Sequence, residues 1–455
     1  MINKMQLSDR MNTSPNALYA VNCLAQNGFE AFAVGGCVRD FLMNTPCNDT
    51  DITTNALPCD IKKVFKNHTT IDIGEKYGTI AVIVEEEQIE ITTYRTDNSY
   101  HDSRHPESVT FARNLRDDLS RRDFTINAMA YNHEIGIVDL FGGQNDIKNR
   151  LIRCVGNPKK RFEEDALRIM RAIRFASVLD FELEEQTKAA VFECADMLKN
   201  ISAERLRVEL CKLICGKNAK KILLEYAKVL AVFIPEIKPC INFNQHSRYH
   251  KYDVWEHIAV AVSECKPDLN ARLAALFHDI AKPSVFVLDE NGTGHFKGHA
   301  AICAQKAEDI MKRLCFSTRQ TELIKNVIYY HSDVNFTPKS AKRRIAKLGY
   351  EGFELLLDLQ CADNSAKHDF CRQRLDEINS WRGFAHNLED SNACISRKNL
   401  AINGNDIISL GVCGKQIGDV LEALLTKVLD DEIENTHDAL INCAKSIISQ
   451  MNTAD

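Results

Sequence analysis

The segment from Ala31 to Thr54 constrains the fold of this chain more than any other. Its sequence, AFAVGGCVRDFLMNTPCNDTDITT, predicts a short apolar strand, a turn at Gly35-Gly36 and then a helix. A double glycine between strand and helix lets backbone N–H groups approach an anion closely, and a helix N-terminus favours negative charge. Asp49 and Asp51 follow on an extended segment, where residues two apart project from one face. The segment predicts a phosphate cradle beside two carboxylates that hold Mg²⁺, with a surface turn and an acidic loop as the alternative.

Length and composition predict a soluble protein of several domains. The 455 residues exceed what one compact core usually holds, and an apolar fraction of 45% is ordinary for a globular protein. No run of about 18 apolar residues occurs, and the N-terminal MINKMQLSDR lacks the apolar stretch of a signal sequence. We therefore expect neither export nor a membrane partner. The 17 cysteines include no C-x-x-C pair, which favours reduced thiols in the cytoplasm.

The charge balance neither requires nor excludes a nucleic-acid partner. The formal net charge is −6, but net charge averages over domains, whereas binding depends on a local patch. Residues 145–221 contain 17 Lys and Arg against 12 Asp and Glu. A second basic cluster, KSAKRRIAK, occupies residues 339–347. Either region is a candidate contact for RNA phosphates.

Residues 76–95 predict a hairpin with strands TIAVIV and IEITTYR and a turn at residues 85–88. In the second strand Ile89 and Ile91 share one face, so Glu90 faces the other way. Glu90 is therefore a candidate third carboxylate beside the two aspartates, with a solvated strand glutamate as the alternative. The polar residues 97–117 predict a mobile loop over a site. Arg121 and Arg122 follow it and are suited to neutralising a triphosphate.

The remainder of the chain is predominantly helical in pattern. Residues 147–232 form one helical block, and the Pro-containing FIPEIKPCINFNQH predicts a linker after it. Residues 247–370 form a second, histidine-rich block, and the last 85 residues are helical again. We find no internal repeat and no low-complexity segment.

A charged pattern marks the first helical block. On a single helix, Asp165, Arg168, Arg171 and Arg174 recur every three residues and would form one polar stripe. A solvent-exposed, salt-bridged face is one interpretation. The other is base recognition, because a carboxylate acceptor beside a guanidinium donor complements the edges of cytosine and adenine and rejects those of uracil and guanine.

Several motifs together identify a family. The sequences VGGCVRD, DTD, RRDFTINA, DLFGG and EDALRIMRAIRF occur in this order between residues 30 and 175. They resemble the successive motifs of the class II CCA-adding tRNA nucleotidyltransferases, which are relatives of bacterial poly(A) polymerases. ERLRVE at residues 204–209 resembles the neck motif of the same family and extends the match to about residue 240.

The resemblance implies an α+β fold. A nucleotidyltransferase palm, with a small mixed sheet and helices, would occupy residues 1–145. It would be followed by an all-α neck for nucleotide recognition and RNA binding at 146–240, an HD domain at 241–370 and a tRNA-binding helical tail at 371–455.

The resemblance also implies a role for each motif residue. Asp49 and Asp51 would hold the catalytic Mg²⁺, and Asp165 and Arg168 would select the base. The tRNA 3′-hydroxyl would attack the α-phosphate of CTP or ATP and release pyrophosphate. The remaining nucleotide-binding residues would contact phosphates or support the base pocket, and these are Gly35, Gly36, Arg39, Arg121, Arg122, Arg171 and Arg174.

A second set of residues is based on histidine. His257, His278, Asp279 and Asp363 resemble the ligands of the HD metal-dependent phosphohydrolases, and His299 and His331 match the extra ligands of variants that hold two metals. Imidazoles with carboxylates suit Mn²⁺, Ni²⁺, Co²⁺ or Fe better than Mg²⁺. The resemblance implies an accessory phosphatase or cyclic phosphodiesterase activity, with a purely structural domain as the alternative.

Other functions compete with full CCA addition. A poly(A) polymerase shares the head motifs, although the segment DIGEKYGTIAV at 72–82 resembles the CCA-adding version. An enzyme that adds only CC or only A is a further alternative, and the polar residues 97–117 disfavour the CC-adding type, which tends to lack parts of that loop. From another class, the chain could be an HD phosphohydrolase with an RNA-binding head, against which the intact Asp49, Asp51 and Arg168 argue.

Overall fold

The computed structural model of the chain describes residues 14–47, 49–97 and 109–452. The chain forms two compact units, one ending at Pro235 and the other beginning at Glu236. This boundary falls within the Pro-containing stretch that was predicted to be a linker. The finer division into four domains stays a prediction. Residues 98–108 of the predicted mobile loop at 97–117 lie outside the described residues. Val109–Phe111 forms a strand and Leu115–Ser120 a helix, so the prediction of a loop is wrong for that part.

A seven-stranded mixed sheet is the centre of the first unit. Its strands are β1 (Ala31–Val34), β2 (Asp51–Thr54), β3 (Thr69–Gly74), β4 (Thr79–Val84), β5 (Glu87–Thr93), β8 (Met129–Asn132) and β9 (Gly136–Asp139). Their order is β3-β4-β5-β2-β1-β8-β9. Strand β2 runs parallel to β5, and the other neighbouring pairs are antiparallel. The α+β fold with a small mixed sheet is confirmed.

The register of the sheet positions the acidic residues. Val34, the last residue of β1, pairs with Asp51, the first residue of β2. Ile52 pairs with Ile91 in the parallel β2–β5 ladder, and both isoleucines are fully buried. Because side chains alternate along a strand, Asp51 and Glu90 project from the opposite face to these isoleucines. The predicted hairpin is confirmed, with a tighter turn at Glu85-Glu86 than the sequence suggested.

Helix α1 (Pro15–Gln26) covers the apolar face of this sheet. Ser14 caps the helix by accepting a hydrogen bond from the Asn16 N–H, and Pro15 occupies the first turn, where a missing N–H costs little. Ala17, Ala20, Val21 and Leu24 have the i, i+3, i+4, i+7 spacing of one helix face and join the core. The sheet face with the acidic residues is thereby left for other contacts.

Short helices and strands complete the first unit. The helices are α2 (Gly36–Leu42), α3 (Pro58–Val64), α4 (Leu115–Ser120), α5 (Gly143–Lys148), α6 (Pro158–Glu164), α7 (Leu167–Leu179), α8 (Glu185–Glu193), α9 (Ala203–Ile214), α10 (Ala219–Glu225) and α11 (Ala227–Leu230). Two further strand pairs are β6 (Arg95–Asp97) with β7 (Val109–Phe111) and β10 (Leu151–Ile152) with β11 (Glu182–Leu183).

The second unit is built mainly of helices. They are α12 (Val254–Glu264), α13 (Leu269–Phe277), α14 (His299–Arg313), α15 (Thr318–Tyr330), α16 (Pro338–Ser365), α17 (Leu375–Asp390), α18 (Gly404–Ser409), α19 (Lys415–Leu429) and α20 (His437–Asn452). Helix α16 is interrupted at Gly349, whose φ is +73°. Strands β12 (Val287–Leu288) and β13 (Gly294–His295) form a hairpin.

The region after residue 145 was predicted to be all-α, and the structure shows that it also contains short strands. The pairs β10–β11 and β12–β13 are only two residues long, so they leave no periodic signal in the sequence. All 17 cysteines are free, as the composition predicted. Among the described residues, no helix is long and apolar enough to cross a membrane.

Candidate functional site

The Gly35-Gly36 turn lies where strand β1 passes into helix α2. Gly35 has a φ of +84° and a ψ of −129°, a conformation that side chains disfavour. A Cβ atom at this position would lie 3.0 Å from Nη1 of Arg122. The backbone conformation therefore favours glycine, and the Arg122 guanidinium lies close enough to place a positive charge at the turn.

Three carboxylates influence one another on the exposed face of the sheet. Asp51 is exposed as a whole residue, but the surrounding protein partly shields its carboxylate and raises its pKa; Arg122 opposes this effect and Asp49 adds to it. Partial burial, Asp51 and Asp49 likewise raise the pKa of Glu90. Because these negatively charged oxygen ligands repel one another, they suit a divalent cation, which would reduce the repulsion between them. Among the described residues, however, these three do not form a group with all ligand atoms within 4.8 Å.

A buried aspartate holds the predicted arginine pair in place. Asp118 accepts hydrogen bonds from Nε and Nη2 of Arg121 at 3.0 and 2.8 Å, from Arg122 at 3.4 Å and from the Thr53 hydroxyl at 3.1 Å. Burial alone would raise the pKa of Asp118, but the two arginines lower it. The sequence analysis missed Asp118, although its i, i+3 and i, i+4 spacing to the arginines was a usable signal.

Arg39 belongs to a hydrogen-bond chain that reaches helix α7. Its Nη1 donates to Asn127 Oδ1 at 2.7 Å, and Asn127 Nδ2 donates to Asp123 Oδ1 at 3.2 Å. Arg171 then donates to Asp123 Oδ2 from Nε at 2.8 Å and from Nη2 at 2.5 Å. Arg39 is itself buried and also bonded to Asp40. This chain links the glycine turn to the helix that carries Arg168, the arginine predicted to select the base.

The predicted single helix that would carry Asp165, Arg168, Arg171 and Arg174 is not formed. It is broken at Asp165, whose φ of −144° and ψ of 103° are extended and which lies between α6 and α7. The Asp165 carboxylate accepts the Leu167 N–H at 3.0 Å and a hydrogen bond from Arg205 at 2.8 Å. A side chain that bonds to a nearby backbone N–H competes with the helix, and this explains the break. Asp165 is therefore not part of one continuous stripe.

The two remaining arginines of the pattern point to different partners. Arg168 is buried and donates to Glu164 at 2.8 Å and to the carbonyl oxygens of Arg161 and Arg121. Arg174 donates to Glu209 at 2.8 Å. The bonds of Arg168 bring the start of helix α7 close to Arg121. The roles of Arg168 and Arg174 in nucleotide binding stay predictions.

In the second unit, the structure brings all six predicted histidine and aspartate ligands together. His257, His278, Asp279 and Asp363 form one group with ligand atoms within 4.8 Å of one another. Asp279, His299 and His331 form a second group. Asp279 is shared between the groups, and its Oδ2 lies 3.1 Å from Nε2 of His278 while its Oδ1 lies 3.4 Å from Nε2 of His299. The arrangement is that of a site with two adjacent ligand sets.

Hydrogen bonds orient the imidazoles toward the centre of this cluster. Nδ1 of His278, His299 and His331 lies 2.7–2.8 Å from the carbonyl oxygen three residues earlier in the chain. Each Nε2 is thus left for a ligand, as is usual for metal-binding histidines. Burial lowers the pKa of His331 to about 3, so its imidazole is neutral at pH 7, the form that binds a metal.

The carboxylates of this cluster are buried and charged. Burial would raise the pKa of Asp279, but His278 and Lys282 hold it well below its usual range. Its Oδ1 accepts no hydrogen bond from the described residues, and such an orphaned buried oxygen fits a metal ion. Lys282 lies 2.6 Å from Asp279 Oδ2, and Lys367 lies 2.6 Å from Asp363 Oδ2. The sequence analysis missed both lysines, although their spacings of three and four residues were visible.

This metal-ligand cluster opens into a cavity of about 510 Å³. Its walls include Asp279, His299, His331 and Asp363 together with basic side chains, which are Lys282, Lys297, Lys367 and Arg374. Such a lining suits an anionic ligand.

The basic cluster at 339–347 is largely neutralised within the protein. Lys342 pairs with Asp431 at 2.6 Å, Arg344 pairs with Asp333 at 2.6 Å, and Arg343 pairs with Asp430. Three of the charges that we expected to contact RNA phosphates are therefore engaged in intramolecular ion pairs.

Comparison with known proteins identifies the family. The model of the poly A polymerase head domain matches residues 31–153. The model described as "Probable RNA and SrmB- binding site of polymerase A" matches residues 180–241, and that of tRNA nucleotidyltransferase domain 2 matches residues 299–444.

Individual relatives agree with these matches. A CCA-adding enzyme of Enterococcus faecalis is 49% identical over 214 residues, which are 47% of this chain and 52% of that enzyme, so the match spans about half of each. A CCA-adding enzyme of Ligilactobacillus salivarius is 33% identical over 95% of this chain and 96% of its own length. The crystal structure of the Bacillus stearothermophilus CCA-adding enzyme in complex with CTP has a TM-score of 0.74 and 28% identity, covering 97% of this chain and 100% of that one. This chain therefore belongs to the CCA-adding enzymes, a family of tRNA nucleotidyltransferases.

Proposed function

We propose that the first unit adds C, C and A in turn to the 3′ end of tRNA, using CTP and ATP and releasing pyrophosphate, in the cytoplasm. The observation that carries this proposal is the pairing of Val34 with Asp51. It sets the Asp51 carboxylate, the proposed metal ligand, beside the glycine turn, against which Arg122 packs. The CTP complex of the B. stearothermophilus enzyme supports the choice of nucleotide.

In this proposal Asp49 and Asp51 hold Mg²⁺, with Glu90 as a third carboxylate. When bound, Mg²⁺ lowers the pKa of the attacking hydroxyl and stabilises the negative charge of the leaving group. Gly35, Gly36, Arg121 and Arg122 position the triphosphate. The tRNA 3′-oxygen loses its proton and forms a bond to the α-phosphorus, while the bond to the bridging oxygen breaks and pyrophosphate leaves.

Base selection falls to Asp165 and Arg168 in our proposal. Both are now engaged within the protein, Asp165 with Arg205 and Arg168 with Glu164. We infer that they exchange these partners for the edge of cytosine or adenine, since an acceptor beside a donor complements both bases. Arg171 and Arg174 would support the pocket through their bonds to Asp123 and Glu209.

An extension assay tests this function and its rivals. The protein is incubated with Mg²⁺ and a tRNA that lacks its 3′ end, and CTP, ATP or both are supplied. Growth that stops after three nucleotides supports CCA addition. A long A tract would indicate a poly(A) polymerase, and growth by C alone, even with ATP present, would indicate a CC-adding enzyme.

We propose that the second unit is an accessory phosphohydrolase. Its support is that Asp279, which lines a basic cavity, is shared between two ligand sets. The two sets suit Mn²⁺, Ni²⁺, Co²⁺ or Fe, which when bound would activate water for attack on phosphorus. A water oxygen would bond to the phosphorus of a monoester or cyclic diester, and the ester oxygen would leave with a proton.

A pair of variants separates the two activities. Asp51→Ala should abolish tRNA extension and leave metal-dependent hydrolysis of phosphate esters intact, whereas Asp279→Ala should do the reverse. The content of bound Mn, Ni, Co or Fe, measured by elemental analysis, should fall in Asp279→Ala and be retained in Asp51→Ala. Loss of both activities in either folded variant would contradict the assignment to two sites, and a wild-type protein that binds metal without hydrolysis would favour a structural second unit.

A further inference from the structure

Two of the 17 cysteines meet between the glycine turn and the acidic residues, and they are here called the thiol pair: Cys37 and Cys47. Cys37 is the second residue of helix α2, directly after the Gly35-Gly36 turn. Cys47 stands two residues before Asp49. The two thiols lie within hydrogen-bonding distance of each other, and Cys47 packs against the apolar cluster that contains Cys37. Neither thiol has a part in the proposed nucleotide transfer.

The end of helix α2 brings Cys47 back to Cys37. Asn44 adopts a left-handed conformation with a φ of +53°, and the Thr45 N–H donates to the Asp40 carbonyl oxygen at 2.9 Å. This combination is a common way of ending a helix with a reversal of the chain. The backbone therefore holds the two halves of the thiol pair together.

Further contacts tie each thiol to one side of the candidate transferase site. Sγ of Cys37 lies 3.4 Å from the carbonyl oxygen of Val34, the last residue of strand β1. The Cys47 thiol donates to the Asp49 carbonyl oxygen at 3.1 Å. Because Val34 pairs with Asp51, the thiol pair connects the strand end that leads into the glycine turn with the segment that carries the carboxylates.

The two thiols differ in their exposure. Cys37 is 3% exposed, whereas Cys47 is half-buried. An oxidant that diffuses to the protein therefore reaches Cys47 first, and the buried Cys37 thiol lies next to it. An accessible cysteine with a second thiol in contact is the usual arrangement of a redox-sensitive site, in which the second thiol completes a disulfide.

We propose that the thiol pair is a site of reversible oxidation, where a peroxide converts it to a disulfide that slows nucleotide transfer. The Cys47 sulfur attacks an oxygen of hydrogen peroxide, so that an S–O bond forms, the O–O bond breaks and hydroxide leaves with the thiol proton as water. The Cys37 sulfur then attacks the sulfur of this sulfenic acid, so that the S–S bond forms, the S–O bond breaks and a second water leaves with the Cys37 proton. The thiol pair loses two electrons, and hydrogen peroxide is reduced to two waters.

The disulfide would shift the segment next to Asp49. It brings the two sulfur atoms closer together than a hydrogen bond does, and it removes the proton that Cys47 donates to the Asp49 carbonyl oxygen. Displacement of a catalytic group by about 1 Å can slow a reaction by about a hundredfold. The effect on transfer rests on the proposed role of Asp49 as a Mg²⁺ ligand, whereas formation of the disulfide does not depend on that role.

Treatment of the full chain with hydrogen peroxide tests the thiol pair by two measurements. The first is mass spectrometry without reduction, after a digest that cuts before aspartates and after aromatic residues and so leaves Cys37 and Cys47 alone on separate peptides. We expect these two peptides to be joined and two hydrogens lighter. The second is the single-turnover rate of tRNA extension, which should fall by about tenfold or more and recover with dithiothreitol.

Three variants separate the thiol pair from the other cysteines. Cys47→Ser keeps a hydrogen-bond donor for the Asp49 carbonyl oxygen, so it should extend tRNA before peroxide treatment and keep its rate afterwards. Cys37→Ala lacks the other half of the disulfide and should resist peroxide in the same way. Cys59→Ser is the matched control, because Cys59 is exposed and lies outside the pair. It should lose and recover activity as the wild type does.

Absence of the joined peptides after peroxide treatment, or equal loss of rate in wild type and Cys47→Ser, would overturn the thiol pair as the site of oxidation. Joined peptides with an unchanged extension rate would overturn its effect on transfer. A reduced wild-type protein that did not extend tRNA would instead refute the proposed function of the first unit, and the peptides alone would then support or overturn the disulfide.

Discussion

Arg171 and Asp123 form a two-point ion pair between helix α7 and the segment that follows the predicted arginine pair. Arg171 donates to one carboxylate oxygen from Nε at 2.8 Å and from Nη2 at 2.5 Å, while the other oxygen accepts from Asn127. Burial alone would raise the pKa of Asp123, but Arg171 and the hydrogen bonds lower it to about 2. The pair therefore joins the segment that precedes strand β8 to helix α7, and its ionic part is present only while Asp123 is ionised.

Asp123→Asn should remove this ionisation-dependent stability while preserving the side-chain shape. At pH 6 we expect the variant's free energy of unfolding to be lower by about 2 kcal/mol, the scale of a hydrogen bond to a charged group. The folded-state pKa of about 2 lies below the unfolded value of about 3.9, so the contribution is present above pH 4 and lost toward pH 2. Urea denaturation followed by circular dichroism should show the difference between the two proteins shrinking over that range.

The matched control is Asp196→Asn, because Asp196 is 82% exposed and forms a surface pair with Lys199. This substitution should change the unfolding free energy by less than about 0.5 kcal/mol at any pH. A difference between wild type and Asp123→Asn that stayed constant from pH 6 to pH 2 would show that the charge of Asp123 is not what stabilises the fold.

Arg168→Ala should relax base choice in the extension assay. Removal of a guanidinium donor from the base edge should reduce the preference for CTP over UTP, and for ATP over GTP, by about tenfold or more. Incorporation of each nucleotide into a tRNA that lacks its 3′ end measures this preference. Arg150→Ala is the control, since Arg150 is 58% exposed and pairs with Asp180 on the surface. Unchanged selectivity in an active Arg168→Ala protein would remove Arg168 from base selection.

The sequence was most informative where function depends on local spacing. The strand, glycine turn and helix at residues 31–42 and the Asp49–Asp51 spacing are readable because each requires particular residues at adjacent positions. The same holds for His278-Asp279. The other ligands of that cluster come from separate helices, and only the family resemblance connected them.

Partners that meet through tertiary contacts were not predictable in this way. Nothing in the sequence near Asp165 indicates Arg205, forty residues away, as its partner. The helix break at Asp165 was missed for a related reason, because the three-residue spacing of charges continues across it. Lys367 is a different case: it stands four residues after Asp363 on a predicted helix, a spacing that normally brings two side chains together.

Metal binding should stabilise the second unit. A ligand that binds only the folded state at about 100 times its Kd adds about 2.7 kcal/mol of stability, which for a unit of this size raises Tm by about 5–11 °C. Differential scanning calorimetry with and without Mn²⁺ should show this shift, and a chelator should reverse it. Asp279→Ala should abolish the shift because Asp279 belongs to both ligand sets.

Asp438→Ala provides the control for the loss of a carboxylate, because Asp438 is 99% exposed. Its Tm should respond to Mn²⁺ as the wild-type Tm does. An equal shift in all three proteins would mean that Mn²⁺ binds elsewhere on the chain and not in the metal-ligand cluster.

Gly35→Ala should separate the chemistry of the glycine turn from its backbone strain. The new Cβ would lie 3.0 Å from Nη1 of Arg122 and would push the guanidinium away from the turn, where we propose that it positions the triphosphate. Gly28→Ala is a close match, because Gly28 has the same φ of +84° but nothing lies within 4 Å of its Cβ position. Both substitutions place alanine at positive φ and should cost roughly 1–3 kcal/mol of stability. Only Gly35→Ala should slow tRNA extension, by about tenfold or more, as expected when a charged group that stabilises a transition state is displaced. Urea midpoints measure the first effect and single-turnover extension rates at 25 °C measure the second. Equal rate losses in the two variants would mean that strain, and not the position of Arg122, accounts for the requirement for glycine at residue 35.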